Sequence, residues 1–295
     1  MTLAAATPLP SDRREKGHLA AASALLTPAT AVVAVMLVAP LLLLLRMSFN
    51  RFDPTKLMVE AATAENYTRF FGDAYYTDVM ITTVVVALSS TAFCLLFGFP
   101  IAYRLARWQS RWKNAVMLLM VLPLFVSSTV RSIGWMVLFS HGGVINLAAT
   151  SLGLGTMTLM QTTTGVIIGI ISINLPYMIL TLQSVVEGID ENLEQAAESL
   201  GAAPARAFWR IVWPMALPGT MIAAVLCFIL AMNAFATPVL IGGPRFHMMA
   251  PLLYWEFTAN NNWPFASALA LILMTTTLVM TVLANKLILG RQARA

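Results

Sequence analysis

Side chains able to do chemistry are sparse in this sequence, and most stand alone. His18, His141 and His247 have no motif partners around them, and Cys94 and Cys227 fall inside apolar runs, where a free thiol behaves as a small hydrophobe. Neither set makes a metal site or a catalytic constellation, so no metal and no catalytic residue is expected. Polarity is concentrated instead in residues 187–214, which read EGIDENLEQAAESLGAAPARAFWRIVWP. Ile189, Leu193, Ala196, Ala197 and Leu200 recur at helical spacing, with Asp190, Glu191, Glu194 and Glu198 on the other faces. Gly201 suits the end of that helix and Pro204 the first turn of the next, over 205–213. A helix lying on lipid headgroups is usually rich in Lys and Arg, whereas residues 187–201 hold five acids and no base. Small side chains flank the turn and permit close approach, so the segment reads as a docking surface for another protein.

Hydropathy shows what must carry that segment. Of 295 residues, 59% are hydrophobic and 11% charged, and the mean hydropathy is +0.78; a soluble domain has about a quarter charged residues. Stretches 20–45, 79–103, 132–186, 211–244 and 257–285 contain no Asp, Glu, Lys or Arg. Roughly 20 helical residues cross a hydrocarbon core about 30 Å thick, so such runs are membrane-span candidates. The expected fold is all-α: a polytopic membrane helix bundle with about six transmembrane helices and a short cytoplasmic helix in the 187–214 loop. The spans are expected at 22–46, 79–104, 114–139, 163–186, 214–240 and 265–288.

Six spans leave both termini on one side, where twelve basic residues flank the spans against five on the other. The positive-inside rule then places both termini and the 187–214 loop in the cytoplasm. The formal charge of +5 reports this orientation rather than nucleic-acid binding. Arg13, Arg14 and Lys16 precede an apolar stretch of 26 residues, longer than a signal-peptide core, so the first span is expected to stay uncleaved. The layout is a cytoplasmic segment 1–21, a transmembrane domain 22–289 and a cytoplasmic tail 290–295. On the other side, His141–Gly143 open a loop with room for a partial helix. Tyr67, Phe70, Phe71, Tyr75, Tyr76, Tyr254, Trp255 and Trp263, in 47–78 and 242–264, suit an interfacial aromatic belt.

Polar residues at membrane depth are costly in lipid and usually face a cavity or another helix. Arg131, Asn174, Asn233 and Thr237 are such residues, and Asn233 with Phe235 is the favoured gate or path pair. Arg131 lies 17 residues past Asn114, about 25 Å along a helix, so snorkelling or helix pairing competes with path lining. Asn174, beside Pro176, either satisfies backbone groups the proline frees or touches a solute. No acid falls within any expected span; Glu256, near the external end of the sixth, is the one candidate carboxylate to meet a cation in the path, and it equally suits a solvated interface charge.

The segment after Glu187 resembles the cytoplasmic signature of binding-protein-dependent ABC transporter permeases. That pattern runs Glu-Ala-Ala, three residues, Gly-Ala, then Phe, Ile, Pro and Pro-Gly. It is matched by Ala196, Ala197, Gly201, Ala202, Phe208, Ile211, Pro214, Pro218 and Gly219, nine agreements across 24 residues. The pattern's Glu falls on Gln195, with Glu194 just before it, so a charged contact made by that Glu would be weakened or shift to Glu194 here. The chain is similar over nearly its whole length to the spermidine/putrescine-type, PotB-like permeases. The similarity is carried by Glu65-Asn66-Tyr67, Phe99-Pro100-Ile101-Ala102-Tyr103, Arg131, Phe235-Ala236-Thr237-Pro238, Gly242-Gly243 and Trp263-Pro264-Phe265.

The resemblance implies a permease subunit of an ABC importer, forming half of the path for a small solute delivered by an external binding protein. A polyamine or related small amine is the expected solute, and the cell inner membrane the expected location. Implied partners are an ATPase dimer, a second permease subunit of different sequence, the external solute-binding protein and membrane lipid. No cofactor is expected on this chain, which is not an enzyme. ATP and magnesium belong to the separate ATPase, in keeping with the lack of a GxxxxGK[ST] phosphate loop. The implied coupling residues are Glu194, Gln195, Ala196, Ala197, Leu200, Gly201, Ala202 and Phe208; Phe208, Ile211 and Trp213 equally suit internal packing. A phosphonate, an opine-like compound or an anion is the alternative solute, and Arg131 suits an anion. An ATP-independent secondary transporter would leave the signature unexplained and lacks intramembrane acids. A membrane-embedded enzyme lacks a catalytic constellation.

Overall fold

The computed structural model describes residues 12–153 and 155–292, so positions 1–11 and 293–295 of the expected terminal tails lie outside the described residues. Six helical segments are long and apolar enough to cross a membrane: Thr30–Ser48, Ala74–Ala106, Ser128–Ser151, Thr163–Glu187, Pro204–Met232 and Trp263–Lys286. The chain is thus the all-α polytopic bundle the hydropathy predicts. Helix α1 (Asp12–Ser48) is followed by a small antiparallel hairpin, β1 (Arg51–Asp53) and β2 (Leu57–Val59), which the sequence pattern does not announce. Asp53 closes the hairpin by accepting from Thr55 Oγ1 at 2.5 Å, Thr55 N at 2.8 Å and Lys56 N at 3.0 Å. The Thr55 hydroxyl first, and then the two backbone donors, hold its carboxyl below the usual carboxylate range.

The bundle centre is a triplet: α3 (Ala74–Ala106), α7 (Thr163–Glu187) and α10 (Trp213–Met232) pack against one another, while α12 (Trp263–Gln292) carries α1 on its outer side. Without a hydrophobic drive between helices in lipid, close approach relies on small residues. Gly219 of α10 shows this, since a Cβ there would lie 2.3 Å from Val185 Cγ2 of α7. Around this centre, α1 leaves Val35 and Met36 exposed, as a lipid-facing helix does. Two buried apolar clusters divide the interior. One gathers Phe70 of α2 (Glu65–Gly72), Tyr76 and Phe265, and the other Phe99, Leu182 and Val212 at the opposite end of α3.

Two expected spans are not single helices. The span at 114–139 divides into α4 (Lys113–Val121), a 3-10 turn Leu122–Phe125, and α5 (Ser128–Phe139). Pro123 lacks the N–H that a continuing helix needs, Val126 is extended, and Ser127 caps α5 by accepting from Thr129 N at 3.3 Å. The span at 214–240 starts earlier and stops earlier than expected. It is continuous from α9 (Pro204–Ala207) through a π-helical turn Phe208–Val212 into α10, ends at Met232, and resumes as a second π-helical turn, Pro238–Gly242. The partial helix anticipated after α5 is α6 (Val144–Ser151), which falls inside the third crossing candidate, Ser128–Ser151, so that segment extends past the expected end at 139.

The aromatic belt needs correcting as well. Phe71 and Trp255 are exposed, but Phe70 and Tyr76 are core residues, and Tyr76 packs edge-on to Phe265 with centroids 4.9 Å apart. The packing of α2 and α3 against α12, not hydropathy, decides this.

Candidate functional site

Two places in the bundle collect the polar residues picked out by sequence. The first is α8 (Glu191–Ser199), the short helix between α7 and α9. Asp190 caps its start by accepting from Asn192 N at 3.0 Å, and Gly201, at φ +85°, ends it. Gly201 N donates to Glu198 O at 2.9 Å and Ala202 N to Ala197 O at 3.0 Å, the paired bonds of a Schellman stop. The predicted helix, glycine turn and Pro204 restart are therefore all present.

Glu194, next to the position where the signature has its Glu, is 8% exposed and turned into the bundle, which favours a weakened contact over one shifted to Glu194. Its carboxylate accepts from Arg107 Nε at 2.8 Å and from Tyr103 OH at 2.5 Å, with Arg107 Nη2 closer still. Arg107 Nη1 also donates to Ile189 O at 3.0 Å. The residue after the last turn of α3 is thus fastened to both ends of the α8 entrance. The physical reason is that Arg107 and Tyr103, at the end of α3, reach Glu194 alone on this turn, while the neighbouring Gln195 and Glu198 are exposed. Gln195, Ala196, Leu200 and Gly201 are exposed, Leu200 by 90%, whereas Ala197 and Ala202 are half-buried.

Phe208, half-buried, packs on α3. Its ring lies 5.2 Å from Tyr103 and 5.7 Å from Phe99, and Trp213 lies 5.1 Å from Phe99. This is internal packing between the π-helical turn and α3. Sequence reasoning missed Arg107 and Tyr103 as parts of this site. Their i, i+4 spacing puts them on one face of α3, but only the fold brings Glu194 to that face from 87 residues away.

The second place is a cavity of about 620 Å³ beside α7, walled by the two helix breaks. Arg131, Asn174, Asn233, Phe235 and Thr237 all line it, together with Tyr177. Non-helical backbone at membrane depth is tolerated where it lines a cavity or is buried in protein, and here the breaks at 122–127 and 233–237 face each other. Thr237 Oγ1 and Ser132 Oγ, 2.9 Å apart, tie the two broken segments together. Asn174 bridges α7 to α10, its Nδ2 donating to Cys227 O at 3.3 Å. Arg131 Nη1 donates to Ile173 O of α7 at 3.3 Å, a helix pairing, while its Nε is buried without a partner. The 3-10 turn and the extended residues before α5 interrupt the helical rise assumed for the expected third span. No Asp or Glu lines the cavity. Among the described residues no group of three or more His, Cys, Asp or Glu is placed to hold a metal ion.

The family described as binding-protein-dependent transport system inner membrane component matches residues 94–289, which include α8, its Gly201 turn and both sides of the cavity. The chain belongs to that family. It is a permease subunit of an ABC importer, a transport component and a multi-pass inner-membrane protein. It is 31% identical over 254 residues to the spermidine/putrescine transport system permease protein PotB of Haemophilus influenzae, covering 84% of this chain and 88% of that one. The PotB of Escherichia coli is 31% identical over 243 residues, 82% of this chain and 87% of that protein. A molybdenum transport system permease protein, ModB of Azotobacter vinelandii, is 34% identical over 161 residues, 55% of this chain and 70% of its own. The fold is that of a crystallised bacterial ABC transporter involved in import of the acidic polysaccharide alginate: the TM-score is 0.73 at 18% identity, covering 93% of this chain and 96% of that chain. A chain of contacts runs from α8 to the cavity. Arg107, Tyr103 and Phe208 join one to α3, and α3 packs along α7, whose Asn174 lines the other.

Proposed function

We propose that this subunit contributes half of the translocation path and that the cavity between the helix breaks is its part of that path. One observation carries the reading: Arg131, Asn174, Asn233, Phe235 and Thr237, drawn from α5, α7 and the break after α10, converge on a single cavity. The exposed face of α8, with Gln195, Ala196, Leu200 and Gly201, is the docking surface for an ATPase dimer that handles ATP and magnesium. ATP has to bind one arrangement of the bundle better than the other. The Glu194–Arg107 pair and the packing of Phe208 then pass that difference from α8 to α3. A second permease subunit of different sequence completes the path, and an external binding protein delivers the solute. A neighbouring fold that has been crystallised with an alginate-bound periplasmic protein supports that arrangement. Both termini lie in the cytoplasm, on the side of α8, as the excess of flanking basic residues requires.

The solute is a polyamine or related small amine, a reading supported by the PotB relatives. The cavity would hold an amine through the amide oxygens of Asn174 and Asn233 and the rings of Tyr177 and Phe235. Arg131 favours a second reading: as the charged residue in a wall with no carboxylate, it suits a solute with an anionic group. Reconstitution with the partner subunits, followed by uptake of radiolabelled putrescine, spermidine, molybdate and a phosphonate, separates the two. ATP-dependent uptake of either amine is expected. Uptake of an anion alone would establish the second reading, and uptake without ATP would remove the importer mechanism.

A further inference from the structure

A second cavity, of about 750 Å³, opens at the end of the bundle away from α8. Tyr75, in the first turn of α3, lines it, whereas α8 is bonded to Arg107 beyond the other end of the same helix. Its walls are aromatic: Phe235, Phe246, Tyr254 and Trp255 join Tyr75. The Phe235 and Tyr254 rings meet edge to face with centroids 4.9 Å apart. Glu256, in α11 (Met249–Thr258), supplies the carboxylate of this wall. The sequence leaves Glu256 as either a carboxylate for a cation or a solvated interface charge, and as a residue it is 6% exposed. Among the described residues, no hydrogen-bond donor or cation pairs with that carboxylate. Arg69 of α2 is committed elsewhere, donating to Tyr76 OH at 2.9 Å with its guanidinium 4.5 Å from the Phe265 ring centroid. His247 lines the cavity with its ring against Tyr75, and no Lys or Arg lines it.

Glu256 is largely buried as a residue, but its carboxylate oxygens are not sealed in and open on this cavity; an acid placed so at the edge of a membrane protein, with no protein cation beside it, marks a place where a ligand can complete the pairing. Aromatic faces attract cations through the ring quadrupole, and cages of such faces recognise alkylammonium groups. We propose that this vestibule binds an organic ammonium group, with Glu256 as counter-charge and Phe235, Tyr254 and Trp255 as its cation–π walls. The proposal rests on the amine reading of the solute and adds the site that first receives it. Phe235 lines this vestibule and the inner cavity alike, so a bound ammonium is one side chain from the path.

The test is a tryptophan-fluorescence titration of the purified, fully assembled transporter with putrescine and with tetramethylammonium, at constant ionic strength. A saturable change is expected, lost in W255F, with half-saturation raised at least tenfold in E256Q and about threefold in E256D. Absence of a saturable change, or equal half-saturation in wild type and E256Q, would overturn the proposal. Should E256Q fail to co-elute with its partners on gel filtration, E256D and W255F decide the matter: unshifted titrations in both refute the site. Saturable ammonium binding without radiolabelled putrescine uptake would remove the amine as transported solute and leave the vestibule standing.

Discussion

Replacing Arg107 with Ala should release α8 from the bundle. A helix of nine residues is far too short to be stable alone, so its order depends on what anchors it. The anchor is the Glu194 carboxylate, which accepts from Arg107 Nε at 2.8 Å and Tyr103 OH at 2.5 Å. The paired side chains are 16% and 11% exposed, so solvent screens them little. Removing one partner of a buried pair leaves the other charge uncompensated and costs about 3–5 kcal/mol. This pair lies at the edge of the bundle, where water can partly reach Glu194 once Arg107 is gone, so the lower end applies. About 3 kcal/mol corresponds to a roughly 150-fold increase in the opening equilibrium of α8. Hydrogen–deuterium exchange of peptides spanning 189–201, read by mass spectrometry on the purified chain, measures that opening directly. Y103F keeps the charge pair and loses one charge-assisted hydrogen bond, about 1.5 kcal/mol, for a roughly tenfold effect. K113A is the control: Lys113 pairs with Glu187 at 2.7 Å, outside α8, and Glu187 is 41% exposed, so α8 exchange should change by no more than a few-fold. Exchange in R107A within threefold of wild type would show that the latch does not hold α8.

Three further outcomes are expected. Gly201→Val faces open space but places a β-branched residue at φ +85°, at a cost of about 1–2 kcal/mol; membrane insertion should persist while uptake falls and ATP hydrolysis uncouples, and normal uptake would remove the turn from the mechanism. Gly219→Ala drives its Cβ to within 2.3–2.5 Å of the Val185 methyls, so the thermal midpoint should drop by the equivalent of about 1–3 kcal/mol, read from detergent-solubilised protein; an unchanged midpoint would mean α7 and α10 can separate freely. Gln195→Glu alters an exposed side chain whose one described contact is Nε2 to Glu191 Oε1 at 3.4 Å, so stability should hold and co-purification with the ATPase should be kept or improved; loss of assembly would mean the partner requires the amide.

The membrane bundle, the short helix α8 and the five cavity residues were legible in the sequence because each depends on local or one-dimensional properties. Charge-free runs of span length set the number of crossings. Helical spacing followed by Gly201 and Pro204 set α8 and its stop, since backbone conformation there follows from residue type. Polar residues at membrane depth had to face something other than lipid, which selected Arg131, Asn174, Asn233 and Thr237 without saying what they face.

What each of them meets was decided by tertiary structure. Glu194 and Gln195 are equally polar neighbours, and only the docking of α8 on α3 determines that the first is buried against Arg107 while the second is exposed. Pro123 and Pro238 announce weak points in two helices, but whether a proline kinks or breaks a span depends on neighbours that satisfy the freed backbone groups. Here the two breaks lie opposite each other and make a cavity. Glu256 reads along the chain as either a carboxylate for a cation or an interface charge, and in space it is largely buried beside an aromatic wall. A sequence reports the cost of a side chain in lipid or water; the identity of the group that offsets that cost belongs to contacts between residues far apart in the chain.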